Sequence, residues 1–225
     1  MSIKLVAFDL DGTLIDTAPD IARAVDRMMH ELGLPMPGAE QVRRWVGDGA
    51  TRLIKRALTG SEAGEPEPAL LERGLDLFRH AYAEHVYVDS RLYPGTREAL
   101  DSLQGRYRLA CITNKPAQFT SPLLKAVQLE GYFDLVLSGD TLAALKPDPL
   151  PLRHAAQHFR LAPAACCMVG DSRNDVLAAR AAGFRAVALS HGYHQGEDLL
   201  ALGAEALFDS IAQLPAWLAG ATETR

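Results

Sequence analysis

Residues 5–14 read Leu-Val-Ala-Phe-Asp-Leu-Asp-Gly-Thr-Leu, the most informative pattern in the sequence. Its first four residues complete a largely apolar run, Ile3 to Phe8, that is rich in residues favoured in β-strands. The run stops at Asp9 and passes into a turn that contains Gly12. A short apolar run bounded by turn residues is typical of a strand buried on both faces of a parallel sheet. The stretch therefore predicts a central strand whose carboxyl end carries acidic residues.

Helical patterns follow this strand from residue 16 to about 82. Thr17 is a plausible helix N-cap, and apolar residues then recur at helical spacing as far as Leu32, with Gly33 as the stop. Two shorter helices are predicted over residues 40–46 and 51–58, and a fourth begins after Pro66 and Pro68. The segment is predicted to contain only helices.

Strands and helices alternate after Tyr93. Strands are predicted over residues 109–113, 135–138, 167–170, 186–189 and 207–208, and helices over 96–103, 119–127, 152–159, 175–182 and 211–218. Such alternation indicates a parallel sheet covered on both faces by helices. We therefore predict an α/β fold: a doubly wound, Rossmann-like parallel sheet core, formed by residues 1–15 and 83–225, with a four-helix cap of residues 16–82 inserted after the first strand.

Composition excludes several classes of protein. Of the 225 residues, 48% are hydrophobic and 23% are charged, which is close to the average of soluble globular proteins and excludes a disordered chain. The net charge of −5, without a basic block, argues against binding of nucleic acid. Three cysteines, no secretory leader and no apolar run of about 18 residues predict a cytoplasmic protein without a membrane segment.

Polar residues are concentrated where the predicted strands end. Asp9 and Asp11 follow the first strand, Thr113, Asn114 and Lys115 end a second, and Asp171 follows a third. Carboxyl ends of parallel strands meet at one edge, which is where open α/β sheets build their sites. A single Asp in this position is more simply explained as a turn or cap residue, but several together are not.

These acids would repel one another unless a cation or protons neutralised them. Asp9, Asp11, Asp171 and Asp175 supply oxygen ligands without His or Cys, a set that favours Mg²⁺. Thr113, Lys146 and the backbone N–H groups near Gly12 can receive phosphate oxygens. Phosphoryl transfer needs this combination of nucleophile, metal and donors.

Four motifs in order resemble those of the haloacid dehalogenase superfamily. Asp9-Leu10-Asp11-Gly12-Thr13 is similar to motif I, Thr113-Asn114 to motif II, Lys146-Pro147 to motif III, and Gly170-Asp171-Ser172 with Asp175 to motif IV. The helical insertion between motifs I and II resembles the type 1 cap of that family. The motifs span nearly the whole chain, and within the superfamily they look most like those of the phosphoglycolate phosphatases.

The resemblance implies a role for each motif residue. Asp9 would be the nucleophile that forms an aspartyl phosphate, and Asp11 would act as general acid and then general base. Thr113 and Asn114 would bind the phosphoryl group, and Lys146 would neutralise it. Mg²⁺ would be held by Asp9, the backbone carbonyl of Asp11, and Asp171, with Asp175 acting through water. The chain would then be a Mg²⁺-dependent phosphatase that acts on a small phosphorylated metabolite as a monomer or homodimer.

Substrate choice is predicted to depend on the cap. Gly12 and Thr13 would contact the phosphoryl group, whereas Gly47, Gly49 and Arg52 would form a loop and helix start that bind an anionic substrate. The alternative is that Arg52 and the other cationic residues of this helix form only a solvated face. 2-Phosphoglycolate is the expected substrate, and a phosphosugar phosphatase or a phosphoglucomutase of the same superfamily is the alternative. A phospho-acceptor receiver domain also has a doubly wound sheet, but it has no helical insertion.

Overall fold

A parallel sheet forms the centre of the molecule in the computed structural model, which describes residues 2–223. The strands are Leu5–Phe8 (β1), Ile15–Asp16 (β2), Arg91–Leu92 (β3), Arg108–Ile112 (β4), Leu135–Leu137 (β5), Cys166–Gly170 (β6), Arg185–Leu189 (β7) and Ala206–Phe208 (β8). Six of them make the main sheet in the order β5-β4-β1-β6-β7-β8, with every neighbouring pair parallel. The predicted doubly wound α/β core is therefore confirmed.

Helices cover both faces of the sheet and form the cap. They are Ala18–Glu31 (α1), Ala39–Trp45 (α2), Ala50–Thr59 (α3), Pro68–Glu84 (α4), Thr96–Leu103 (α5), Ala117–Ala126 (α6), Leu150–His158 (α7), Arg173–Ala182 (α8) and Leu214–Glu223 (α9). The predicted helix over 211–218 is in fact a 3₁₀ turn, Ile211–Gln213, followed by α9. Across residues 2–223, none of the helices has the length and apolarity needed to cross a membrane.

Strand β1 lies between β4 and β6 and sets the alignment of the sheet edge. Phe8 is in register with Cys111 on one side and with Val169 on the other. Because the three strands end at nearly the same level, the residues that follow them emerge together. The acidic turn after β1 is thereby brought beside the polar residues after β4 and β6.

The alternating side chains of β1 pack into two separate hydrophobic cores. Val6 and Phe8 pack on one face of the sheet, whereas Leu5 and Ala7 pack on the other. All four are fully buried, as the continuous apolar run of a doubly covered strand predicts. The rigid sheet therefore holds the residues beyond Phe8 on a fixed platform.

The four cap helices form most of a third core, which includes Met28, Ile54 and Phe78 and also takes in Phe119 and Tyr193 from outside the cap. The chain enters and leaves this segment through β2 and β3, which pair antiparallel as Ile15 with Leu92 and Asp16 with Arg91. The prediction of an entirely helical segment from residue 16 is wrong at Asp16, because a strand of two residues carries no detectable periodicity. The division at residues 15/16 and 82/83 stays a prediction.

A buried carboxylate fastens the return of the chain from the cap. Asp20, in the first turn of α1, accepts backbone N–H bonds from Val88, Asp89 and Ser90 at 2.9–3.0 Å, together with the Ser90 hydroxyl. Burial opposes ionisation, but the hydrogen bonds from Ser90 and Val88 outweigh it and lower the pKa of Asp20. Asp20 therefore holds residues 88–90 against α1 just before β3.

Replacement of Asp20 by Asn should lower the free energy of unfolding at pH 7 by about 1.5–3 kcal/mol, because hydrogen bonds to a charged acceptor are lost. The folded-state pKa of Asp20 is lowered, so its stabilising charge is present above the unfolded pKa of about 3.9 and is lost as pH falls through the folded value. Urea unfolding at pH 7 and in acid should therefore show the two proteins converging at low pH.

The matched control is Asp76→Asn on α4, where the exposed carboxylate pairs with Arg79 one turn away. This change should alter the unfolding free energy by less than about 0.5 kcal/mol. A difference between wild type and Asp20→Asn that stayed constant into acid would contradict the assignment.

Candidate active site

Three buried carboxylates converge at the carboxyl edge of the sheet. Asp9, Asp171 and Asp175 each offer one oxygen, and these oxygens lie within 4.8 Å of one another. Lys146 joins the cluster: its Nζ is 3.0 Å from Asp9 Oδ1 and 2.6 Å from Asp175 Oδ1. Three motifs that are far apart in the sequence thus meet as one charged centre.

Asp171 is held by the loop that follows β1. The Thr13 hydroxyl donates to Asp171 Oδ1 at 2.6 Å, and the backbone N–H of Tyr193 donates to Oδ2 at 2.6 Å. Gly12 has φ +86°, and a Cβ there would lie 2.3 Å from Asp171 Oδ2, so only glycine fits. Thr13 is fully buried. Thr13 thus fixes the position of Asp171, and Gly12 leaves room for its carboxylate. Their contact with substrate stays a prediction.

Asp175 is fixed by the start of α8. Its Oδ2 accepts the Ser172 N–H at 3.1 Å and the Ser172 hydroxyl at 2.7 Å. A carboxylate three residues after the N-cap commonly bonds back to the cap in this way. The other oxygen remains for Lys146 and for the centre of the cluster.

The cluster shifts the protonation of its members. Burial raises the pKa of Asp9 to about 7, with Lys146 opposing the shift and Asp175 adding to it. Burial also raises the pKa of Asp171 well above its usual range, and Asp175 raises it further. Burial alone would lower the pKa of Lys146, but Asp175 and Asp9 raise it above its usual value. The carboxylates therefore resist ionising together without further positive charge.

The residues present fit a hard divalent cation. Asp9 Oδ1 is buried and accepts no directed hydrogen bond, although Lys146 lies beside it as an ion pair. With Asp11 and Lys115 included, four acids face two ammonium groups, which leaves two negative charges in excess when all are ionised. Carboxylate oxygens are the ligands that Mg²⁺ prefers. A Mg²⁺ ion would balance this charge.

Asp11 lies apart from the three-carboxylate cluster and has different partners. Lys115 Nζ is 3.1 and 3.2 Å from its two oxygens, and the Thr17 hydroxyl donates to Asp11 Oδ1 at 2.7 Å. Lys115 also donates to Tyr82 Oη, at 2.9 Å, and so joins the core to helix α4 of the cap. The pKa of Lys115 is raised because Asp11 and Tyr82 outweigh the opposing effect of burial.

Lys115 directly follows Thr113 and Asn114 at the end of β4, and its predicted position at this edge of the sheet is where the structure places it, although its role was left open. Tyr82 was not among the predicted site residues, since its spacing on α4 is that of an ordinary core residue. Both are buried and line the same cavity.

Asn114 connects the cap to the core. Its Nδ2 donates to Gly47 O at 2.9 Å and to Lys146 O at 2.8 Å, and its Oδ1 accepts the Lys146 N–H at 3.0 Å. Asn174 reaches the same loop, donating to Asp48 Oδ1 at 2.8 Å. The Gly47 loop is thus held over the site. Thr113 lines the cavity beneath it, and its hydroxyl accepts the Lys115 N–H at 3.2 Å.

A small cavity of about 40 Å³ lies between core and cap. Asp9, Asp11, Thr113, Asn114 and Lys115 form its polar floor. The remaining lining is mostly apolar and comes largely from the cap: Ile21, Val46, Gly47, Gly49, Ala50, Leu53, Phe78, Tyr82, Pro116 and Phe119. The two predicted loop glycines therefore reach the site.

Arg52 does not reach it. Its guanidinium lies 3.4 Å from Glu65, and Lys55, one turn further along α3, pairs with the same carboxylate. Positions three apart share one face of a helix, and this face points toward the loop before α4 rather than into the cavity. The placement of Arg52 agrees with the alternative of a partly solvated charged face.

Comparison with known proteins supports the motif assignments. Residues 3–183 match the family of haloacid dehalogenase-like hydrolases. The phosphoglycolate phosphatase of Nitrosospira multiformis is 47% identical over 212 residues, covering 94% of this chain and 93% of that protein. That of Nitrosococcus oceani is also 47% identical over 212 residues, covering 94% of each.

A solved structure extends the similarity to the whole architecture. The crystal structure of a predicted phosphoglycolate phosphatase from Haemophilus somnus superposes with a TM-score of 0.91 at 32% identity, covering 96% of this chain and 98% of that one. Sequence and structure agree over both the sheet and the inserted helices. On this evidence, the chain belongs to the family of haloacid dehalogenase-like hydrolases.

Proposed function

We propose that the protein is a Mg²⁺-dependent phosphatase that hydrolyses 2-phosphoglycolate to glycolate and phosphate through an aspartyl phosphate on Asp9. The observation that carries the proposal is the position of Asp9. Its carboxylate lies at the cavity floor, beside Lys146 and within the three-carboxylate cluster. A nucleophilic carboxylate, positive charge for the phosphoryl oxygens and a metal site are the parts that phosphoryl transfer requires.

In the first step, an oxygen of Asp9 attacks phosphorus and the bond to the ester oxygen breaks. Asp11 donates a proton to the departing ester oxygen, so this oxygen leaves as the hydroxyl group of glycolate rather than as an alkoxide. In the second step, Asp11 accepts a proton from a water molecule that attacks the phosphoryl group. The P–O bond to Asp9 then breaks, which returns Asp9 as a carboxylate and releases phosphate.

The phosphoryl oxygens require positive charge and hydrogen-bond donors. Lys146 supplies a buried ammonium beside Asp9, and the Thr113 hydroxyl supplies a donor at the cavity floor. Mg²⁺ would be held by Asp9, the backbone carbonyl of Asp11, and Asp171, with Asp175 acting through water. Bound there, the ion would supply electrostatic stabilisation of the charge that develops on the phosphoryl group.

The substrate assignment rests on the relatives and on the cavity. Both relatives described above are phosphoglycolate phosphatases. The cap contributes mainly apolar side chains to the cavity, which suit a small leaving group. Apolar walls disfavour the hydroxyl groups of a sugar and also an unpaired carboxylate, so the apolarity of the lining does not discriminate between the two. The small size of the cavity favours the two-carbon leaving group of 2-phosphoglycolate over the larger substrates of a phosphosugar phosphatase or a phosphoglucomutase.

The cellular setting is also a proposal. Cys111, Cys166 and Cys167 are all free and buried, and this pattern is typical of proteins of a reducing compartment. We place the protein in the cytoplasm, where small phosphorylated metabolites are produced. Whether it acts as a monomer or a homodimer stays a prediction.

Removal of divalent metal should abolish phosphate release from 2-phosphoglycolate, and Mg²⁺ should restore it. Ca²⁺ should support little turnover, since its looser and larger coordination would displace Asp9 from in-line attack. Phosphate release would be measured after treatment with chelator, followed by addition of each metal. Full turnover in excess chelator would contradict the mechanism.

Asp9→Asn and Asp11→Asn should each lower turnover of 2-phosphoglycolate by several orders of magnitude, but for different reasons. p-Nitrophenyl phosphate separates them, because nitrophenolate leaves with little need of a proton. Asp11→Asn should release about one equivalent of nitrophenolate rapidly and then stall, since the base for the second step is missing. Asp9→Asn should give no such burst.

Mass spectrometry of the stalled Asp11→Asn protein should locate the phosphate on Asp9. Phosphate on any other residue would overturn the assignment of the nucleophile. Burst kinetics in both variants would also contradict it.

A further inference from the structure

Among the described residues, Lys115 is the one cationic side chain that lines the cavity. Its side chain is buried, and its Nζ lies 3.1–3.2 Å from the carboxylate of Asp11. Lys146, the other buried ammonium here, is occupied by Asp9 and Asp175 on the phosphoryl side. The two ammonium groups therefore face different parts of a bound phosphoester.

We propose that Lys115, with the hydroxyl of Tyr82, binds a carboxylate carried on the carbon that bears the ester oxygen, and so determines the specificity of the enzyme. This inference rests on the proposed function, because it takes Asp11 as the group that protonates the ester oxygen. It replaces Arg52 of helix α3 as the anion-binding residue.

The geometry limits where the carboxylate can lie on the substrate. Asp11 must reach the ester oxygen to protonate it, and Lys115 is in direct contact with Asp11. A carboxylate bound by Lys115 must therefore lie close to that oxygen. In 2-phosphoglycolate only one CH₂ group separates the two, so the phosphate and the carboxylate can engage Lys146 and Lys115 together.

Tyr82 completes the receptor from the cap. Its Oη accepts a hydrogen bond from Lys115 at 2.9 Å, which leaves its own O–H as a second donor beside the ammonium. Burial raises the pKa of Tyr82 to about 12, so the hydroxyl keeps its proton at neutral pH. Because Tyr82 lies on α4, carboxylate binding would also connect substrate to the cap.

The surroundings strengthen this contact. Phe78, Phe119 and Ile21 line the same cavity, and an ion pair among apolar side chains is less screened than one in water. An ammonium carries three N–H donors, and the two Asp11 oxygens at 3.1 and 3.2 Å can share one of them. With a second donor directed to Tyr82, one donor remains for a ligand. The ammonium can therefore turn partly toward an incoming carboxylate.

The test compares two substrates that differ only at the group in question. 2-Hydroxyethyl phosphate replaces the carboxylate of 2-phosphoglycolate by an uncharged CH₂OH group. Lys115→Met, which keeps the length of the side chain and removes its charge, should lower the ratio of kcat/KM for 2-phosphoglycolate to that for 2-hydroxyethyl phosphate by about 30-fold or more, mainly through KM. Losses common to both substrates cancel in this ratio.

Two further variants distinguish a specific loss of carboxylate binding from a general loss of activity. Tyr82→Phe removes only the hydroxyl and should lower the same ratio by about threefold to tenfold. Lys125→Met, at the exposed end of helix α6, is the matched control for loss of a lysine charge and should leave the ratio unchanged.

The remaining outcomes would overturn the proposal. Equal losses on both substrates with Lys115→Met would show that Lys115 acts only through Asp11. A wild-type ratio in Lys115→Met together with a tenfold lower ratio in Arg52→Ala would return carboxylate binding to α3. If wild-type protein with Mg²⁺ released phosphate from neither ester, the proposed function itself would fail, which is distinguishable from a failure confined to Lys115.

Discussion

Mutual repulsion among buried carboxylates is the constraint on which the rest of the site depends. Asp9, Asp171 and Asp175 bring oxygens within 4.8 Å of one another in a part of the molecule that water hardly reaches. Such an arrangement persists only because rigid elements enforce it and Lys146 offsets part of its charge. Strand β1, the start of α8 and the Thr13 contact to Asp171 supply that rigidity.

The core and the cap contribute different groups to the site. The core provides nearly all of the charge, as one pair of Asp9 with Lys146 and another of Asp11 with Lys115. In the proposed mechanism the first pair faces the phosphoryl group and the second faces the leaving group. The cap contributes mainly apolar walls and the hydroxyl of Tyr82. Asn114 ties the two parts together by bonding to Gly47 of the cap and to the Lys146 backbone. Chemistry therefore depends on the sheet, and discrimination depends on what the cap encloses.

Much of this arrangement could be predicted from the sequence, because strand ends are local signals. An apolar run followed by Asp9, and another followed by Asp171, indicate both the sheet and the edge where the acids meet. Other features depend on how distant segments pack, which local patterns do not encode. Arg52 lies on a cationic helix as expected, yet the orientation of α3 directs it to Glu65. The hydroxyl of the buried Thr13 donates to Asp171, a contact that its place in the sequence does not indicate. The Lys115–Tyr82 contact joins residues 33 positions apart and required the folded cap.

Unfolding measured over a range of Mg²⁺ concentrations would show whether the acidic cluster needs a divalent cation. If the three-carboxylate cluster needs a divalent cation, the free energy of unfolding of wild-type protein should rise by about 1.4 kcal/mol for each tenfold increase in Mg²⁺ above the dissociation constant, the slope for one ion. Asp171→Asn, which removes one charge and one ligand, should show no such rise over the same range. A wild-type stability independent of Mg²⁺, or an equal rise in the variant, would contradict the account.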